Sequence, residues 1–210
     1  VNSPAASSSS SPTAPRGRLQ FLLLATLFFF PLLASYVLYF WFPDLRPSGT
    51  TNYGQLINPA RPAPDLTLVD AKGAALDEQT FGVRWSYVVL AGTDCDELCR
   101  RNLVMTRQVR VAMNEKRSRI QRVLVLSDPA AVPRVAAALA PEHPDLRVLG
   151  DTGAPGARLS DFLQPAGAAS YLLDPHANWL LFYPAGGETQ ADFKGMQKDI
   201  KKLLRLSQIG

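Results

Sequence analysis

Between Arg18 and Asp44 the chain carries no charged residue, and Leu19–Phe42 supplies 24 mostly apolar positions. At about 1.5 Å per residue this makes roughly 36 Å of helix, long enough to cross a bilayer. Tyr36, Tyr39 and Trp41 gather at the far end, where amphipathic rings favour the interface, and Arg16 and Arg18 precede the stretch. The positive-inside bias therefore predicts a single pass with the N-terminus cytoplasmic and everything after residue 42 on the other side. Pro31 predicts a kink, tolerated in a membrane helix when neighbouring groups satisfy the freed carbonyl. A cleaved signal peptide is the rival reading, but the stretch exceeds a usual apolar region of about 7–15 residues and lacks a small-x-small site. Residues 1–18, rich in Ser, Ala and Pro, predict a disordered cytoplasmic tail, and residues 43–63, with Pro43, Pro47, Pro59 and Pro62, a semi-extended stalk.

From residue 64 the pattern changes to short apolar runs alternating with helical periodicity, which predicts an α/β domain with a central sheet over 64–210. Leu66–Val69 reads as an edge strand closed by the turn Asp70-Ala71-Lys72-Gly73, and Trp85–Ala91 as a central strand. Within Leu98–Lys116, the residues Leu98, Met105, Val109 and Ala112 recur at helical spacing and predict the buried face of an amphipathic helix. Ile120–Leu126 predicts a second buried strand, Val132–Ala140 a helix and Leu146–Leu149 a short strand. Tyr171–Leu173 and Trp179–Tyr183 flank Asp174–Asn178 as a β-hairpin, and Phe193–Leu206 closes the chain as a helix. Strand, helix, strand, helix, hairpin and helix, with cysteines where the first central strand meets its helix, is a thioredoxin-like order.

Charge alters little of this picture. The net +4 divides into four Arg against one Asp over residues 1–63, and 18 basic against 17 acidic residues over 64–210, so the folded part has no overall nucleic-acid-like charge. Locally, Arg100, Arg101, Arg107, Arg110, Lys116, Arg117, Arg119 and Arg122 predict a basic helix face suited either to solvent or to an acidic partner or membrane headgroups. No Ser/His/Asp set or paired carboxylates emerge, which leaves a hydrolase without support.

Cys95 and Cys99 are the only cysteines, placed as C-x3-C around Asp96-Glu97-Leu98. Near a helix N-terminus the partial positive charge lowers a thiol's pKa, whereas Asp96 and Glu97 oppose and Arg100 and Arg101 assist that effect. Four readings stay open. The pair is a dithiol that exchanges electrons with another protein, two soft thiolates for Cu(I), a structural disulfide in an oxidising compartment, or two buried apolar cysteines, the last fitting poorly with so many charged neighbours.

Thr93-Asp94-Cys95-Asp96-Glu97-Leu98-Cys99, the following helix, Val123–Pro129 and Tyr171-Leu172-Leu173-Asp174-Pro175 resemble, in order and spacing, the Sco/SenC proteins. That family comprises membrane-anchored, thioredoxin-like factors that help assemble the copper centre of cytochrome c oxidase. The resemblance covers about residues 65–206 and includes the anchor and stalk. It implies Cys95 and Cys99 as redox groups or Cu(I) ligands, and the oxidase copper-site subunit or other assembly factors as partners. It also implies a domain held on the periplasmic side of an inner membrane, or the intermembrane-space equivalent.

The chain also departs from the family. Asp96 and Arg100 stand where prolines are usual after the cysteines, and the family's copper-ligand histidine would fall near Ala166, within Gln164-Pro165-Ala166-Gly167, where there is none. His143 and His176 are the only histidines and both read as exposed loop residues, while Met105 and Met113 read as packing. Ordinary reductases with C-x2-C place a proline near the position of Ala168, but the nearest here is Pro165. The resulting expectation is a Sco-like oxidase assembly factor acting through Cys95 and Cys99, as reductant or Cu(I) carrier. The alternative is a degenerate scaffold of a membrane complex, with the pair locked as a disulfide.

Overall fold

Trp85–Ala91 (β3) and Ile120–Leu126 (β4) are mostly apolar runs, interrupted by Ser86 and by Gln121 and Arg122, as expected of strands covered on both faces. They pair in parallel, from Trp85 opposite Ile120 to Ala91 opposite Leu126. The structure, a computed structural model, describes residues 16–42, 52–76, 80–163, 169–184 and 189–207. It divides into two units, residues 1–49 and residues 50–210.

In the first unit Arg16–Trp41 (α1) is one helix with Pro31 inside it. Its Gly17–Trp41 portion is long and apolar enough to be a candidate membrane span, in agreement with the expected anchor. Most of its large apolar side chains, Phe21, Leu27 and Phe29 among them, are exposed. The expected tail lies outside the described residues up to residue 15, as does the stalk from 43 to 51.

The second unit is a seven-stranded sheet of order β1-β7-β6-β3-β4-β5-β2, comprising Gln55–Pro62 (β1), Leu68–Val69 (β2), β3, β4, Leu146–Asp151 (β5), Ala169–Leu173 (β6) and Asn178–Pro184 (β7). On one side of β3, β5 continues the parallel set beyond β4. On its other side β6 pairs antiparallel, Val88 opposite Tyr171, and forms a hairpin with β7. The parallel crossovers run through Glu97–Val111 (α2) and Val132–Leu139 (α3). They advance in the same direction across the sheet, and the right-handedness of such connections puts both helices on one face. There Tyr87, Val89, Leu124, Leu126 and Val148 meet α2, α3 and the last helix, Thr189–Leu206 (α5). The opposite face, with Val88, Val123, Val125, Leu149 and Tyr171, packs under Phe81, Trp179 and the short helix Leu159–Phe162 (α4). The thioredoxin-like sheet flanked by helices is thus present.

Two expectations change. Gln55–Pro62, assigned to the stalk, is strand β1 on the sheet's outer edge, pairing antiparallel with β7. Pro59 and Pro62 are compatible with that place because an edge strand has N–H groups that need no partner. The folded unit therefore begins ahead of residue 64, and its entry is pinned to α5. The Asp199 carboxylate, 1 % exposed, accepts from the backbone N–H of Tyr53 at 3.0 Å and of Gly54 at 2.8 Å. The Tyr53 ring lies against Gly195, where a Cβ would meet it at 2.1 Å.

The buried face of α2 is the second change. It consists of Cys99, Leu103, Thr106 and Val109, sharing only Val109 with the expected Leu98, Met105, Val109 and Ala112. A polar residue sits in this stripe because the Thr106 hydroxyl donates to the carbonyl of Asn102 at 2.9 Å. Internal satisfaction of that kind lets a threonine pass as core. The helix also stops at Val111, and Asn114–Arg119 is a 3-10 turn.

Asp199→Ala leaves two backbone donors at the β1 entry without their acceptor, and it should cost about 2–3 kcal/mol. Thermal unfolding with hydrogen exchange at residues 53–62 checks this. The expected result is a lower Tm and lost protection of β1, with β3 amides retaining theirs.

Candidate functional site: the Cys95–Cys99 pair

Strand β3 ends at Ala91, whose carbonyl accepts from the Ser127 N–H just after β4 at 3.0 Å. The chain then turns through residues 92–96 into α2. From α3, Arg134 reaches back to this loop, donating to the Asp94 carboxylate at 2.8 Å and to the Thr93 carbonyl at 2.9 Å. The hydrogen bond from Arg134 holds the Asp94 carboxyl below its ordinary pKa. Asp96 is the N-cap of α2, its carboxylate accepting from the Cys99 N–H at 2.8 Å, the usual use of an aspartate at that position. Neither Arg134 nor Ser127 could be assigned to this site from sequence, since their partners lie about 35–40 positions away with no pattern linking them.

Capping at Asp96 turns Cys99 inward. Cys95 and Cys99 are joined as a disulfide with their Cα atoms 5.2 Å apart, and they are 5 % and 4 % exposed. They pack against Val89, Leu103, Leu124 and Val132. The charged neighbours do not argue against burial as expected, because Asp94, Asp96, Glu97 and Arg100 all project to solvent while the two sulfurs face the sheet. Beside them a depression of about 370 Å³ is lined by Gly92, Asp96, Leu98, Cys99, Ser127 and Ser160. The structure thus brings the two predicted site residues together at the strand-to-helix junction, in their oxidised form. Opening the pair takes two electrons and two protons and yields a dithiol at the N-terminus of α2.

Other expected candidates are placed differently. Among the described residues no group of three or more His, Cys, Asp or Glu is arranged to hold a metal ion. Gln164–Ala168, where the family's ligand histidine would fall, lies outside the described residues. His176 is exposed in the hairpin turn, as expected. His143 is not: it is 3 % exposed, with Nδ1 3.3 Å from Nη2 of Arg122. Met113 is buried and Met105 packs beside the same cluster, both as core residues.

The basic face also divides. Arg122 is 1 % exposed within β4 and donates to the Leu103 carbonyl, to Thr106 Oγ1 at 3.2 Å and to Asp145 at 3.0 Å. Arg110 pairs with Asp145 at 3.2 Å and donates to the Ile120 carbonyl, and Arg119 donates to the carbonyls of Leu204 and Ser207. These three brace the fold. Arg100, Arg101, Arg107, Lys116 and Arg117 form the solvent-facing remainder.

Residues 85–207 match the model of the family described as transmembrane-like, thioredoxin-like, C-terminal domain. No curated protein matches the chain. Among solved structures, the chain is similar to apo Sco1 from Thermus thermophilus, with 21 % identity and a TM-score of 0.56, covering 74 % of this chain and 99 % of that one. It is also similar to copper-bound ScoI from Arabidopsis thaliana, with 17 % identity and a TM-score of 0.53, covering 67 % and 98 % of the two chains. A SCO1/SenC family lipoprotein from Bacillus anthracis shares 11 % identity at a TM-score of 0.50, covering 69 % and 96 %. At these identities the likeness is one of fold, and the resemblance to Sco/SenC proteins holds at that level.

Burial first, then the nearby Arg122 and Arg107, lower the pKa of His143 below its ordinary 6.5, with Glu142 and Asp145 opposing. Between the two pKa values the unfolded chain takes up a proton that the folded chain refuses. The stability His143 contributes is therefore complete above pH 6.5 and is lost as the pH falls through the folded pKa. Urea unfolding at about pH 7.5 and about pH 5.5 should show a larger acid loss in the wild type than in His143→Gln. Equal losses would contradict it.

Proposed function

The chain belongs to the family of transmembrane-like, thioredoxin-like C-terminal domains, and on that premise we propose that it is a membrane-anchored, Sco-like assembly factor for cytochrome c oxidase. Its working group is Cys95 and Cys99, cycling between dithiol and disulfide. The observation that carries this reading is the pairing of the chain's only cysteines across the first turn of α2, at the end of the central strand.

The chemistry balances with the residues present. In the reduced protein one thiolate attacks a disulfide of the partner, forming a mixed disulfide and releasing a partner thiolate. The second cysteine then attacks the mixed disulfide, closing Cys95–Cys99 and leaving the partner as a dithiol. Two electrons pass to the partner, and a dithiol reductant must reopen the pair before the next cycle. The partner on this reading is the oxidase copper-site subunit, whose metal-binding cysteines must be reduced before copper enters, or another assembly factor. The domain works on the periplasmic or intermembrane-space side. Cu(I) as cargo is supported by the likeness in fold to copper-bound Sco structures, and two soft thiolates suit a soft ion. Thiol exchange is preferred because it needs only the two sulfurs that the structure joins, whereas no histidine stands at 164–168 to complete the family's ligand set.

Burial favours a second reading. With both cysteines about 5 % exposed and packed with Leu124 and Val132, the pair also suits a structural disulfide in a scaffold. An incoming thiolate needs the loop over residues 92–96 to open beside the depression at Cys99.

Single variants Cys95→Ser and Cys99→Ser, expressed in cells that assemble the oxidase, should divide these readings. One of them should trap a mixed disulfide with the copper-site subunit, and the double variant should lower oxidase copper content and activity several-fold. No trapped adduct, with oxidase copper and activity unchanged in the double variant, would leave the scaffold reading.

A further inference from the structure

The outer face of α5 carries Lys194, Lys198, Lys201, Lys202 and Arg205, which with Lys116 line a concavity of about 540 Å³. Five of the chain's six lysines are gathered here, although arginine is its commoner cation, with sixteen copies. The sixth, Lys72, is exposed in the turn after β2, at the far edge of the sheet. The one carboxylate lining the concavity, Asp199, is 1 % exposed and occupied by the N–H groups of Tyr53 and Gly54. Lys116, Lys194, Lys198 and Lys201 are exposed, and Asp199, the single carboxylate among the lining residues, is turned inward to those N–H groups.

The composition of this surface selects its partner. Lysine is depleted at protein–protein interfaces, where arginine and aromatic anchors carry affinity, and no aromatic side chain lines the concavity. A compact ammonium on a flexible stem acts as a point charge, suited to a fluid array of phosphates rather than to one fixed bidentate geometry. The chain also enters the domain on this same helix, through the Asp199 bonds and through Lys202 Nζ, which donates to Asn52 Oδ1 at 3.4 Å. Only nine residues lie between Phe42, which follows α1, and Asn52, so the ten steps of chain from one to the other reach at most about 36 Å.

We infer that the lysine face of α5 docks the domain onto the phosphate headgroups of anionic phospholipids in the membrane that holds α1. The inference rests on the reading of α1 as a membrane anchor. Attraction of this kind falls off within a Debye length and is screened by salt.

The test uses the full chain reconstituted in nanodiscs, either pure phosphatidylcholine or phosphatidylcholine with roughly 30 % phosphatidylglycerol, as a membrane whose surface potential attracts basic segments. Amine acetylation rates are read by mass spectrometry at Lys198 and Lys201, with Lys72 as the internal reference. On anionic discs the two rates should fall about fivefold relative to Lys72 and recover in about 0.5 M NaCl. In the Lys198→Glu, Lys201→Glu double variant the protection of Lys194 should disappear. Equal rates on both kinds of disc, in a chain that has incorporated, would overturn the inference and leave this face to an acidic protein. A chain that does not co-purify with either disc would instead overturn the anchor reading beneath it.

Discussion

Strand β3 is hydrogen-bonded along both edges, by β4 and β6, and covered on both faces, with Tyr87 and Val88 wholly withdrawn from solvent. Each large apolar side chain buried in this way contributes about 1.5–3 kcal/mol, so neither the register nor the end of the strand is free to shift. The cysteine loop inherits that fixity. Parallel pairing brings the end of β4 beside Ala91, and the crossover after β4 brings Arg134 over Asp94, so the residues framing Cys95 and Cys99 are set by the sheet rather than by the loop itself.

Beneath α2 a polar layer completes the arrangement. Arg122 projects from β4 into the α2 face of the sheet and is met by the Leu103 carbonyl, the Thr106 hydroxyl, Asp145 and His143. A buried guanidinium is costly unless its donors are used, and here they link α2 to the segment leading into β5. The bonds to Leu103 and Thr106 offset that cost and tie α2 to β4 in an orientation that has Cys99 packed with Leu124 and Leu126 while Leu98 stays at the surface depression.

The parts of this architecture that announce themselves in sequence are those governed by local pattern. The runs Trp85–Ala91 and Ile120–Leu126 match β3 and β4 residue for residue, because strands buried on both sides are predominantly apolar even where Ser86, Gln121 and Arg122 interrupt them. The hairpin around Asp174 was legible from its turn residues, and the cysteine junction from the order of elements. Strand β1 was hidden because Pro59 and Pro62 suit a stalk as well as an edge strand, and its pairing with β7 lies more than 100 residues away. Thr106, polar by type, conceals its place in the buried stripe of α2, whose start is Cys99 rather than the more apolar Leu98. His143, between Pro141 and Pro144, looked like a surface loop, and Arg122 like part of a basic face. Their burial depends on one another and on Asp145, a satisfaction that only the tertiary structure supplies.

Whether the buried disulfide is a working couple is the claim on which the functional account turns, and its midpoint potential tests it most directly. The full chain, equilibrated in dithiol–disulfide buffers of graded potential and scored for free thiols at Cys95 and Cys99, should show a reversible two-electron transition above about −300 mV, the region of labile and catalytic pairs. A pair that stays oxidised until well below about −300 mV would contradict the account and make the disulfide a structural staple.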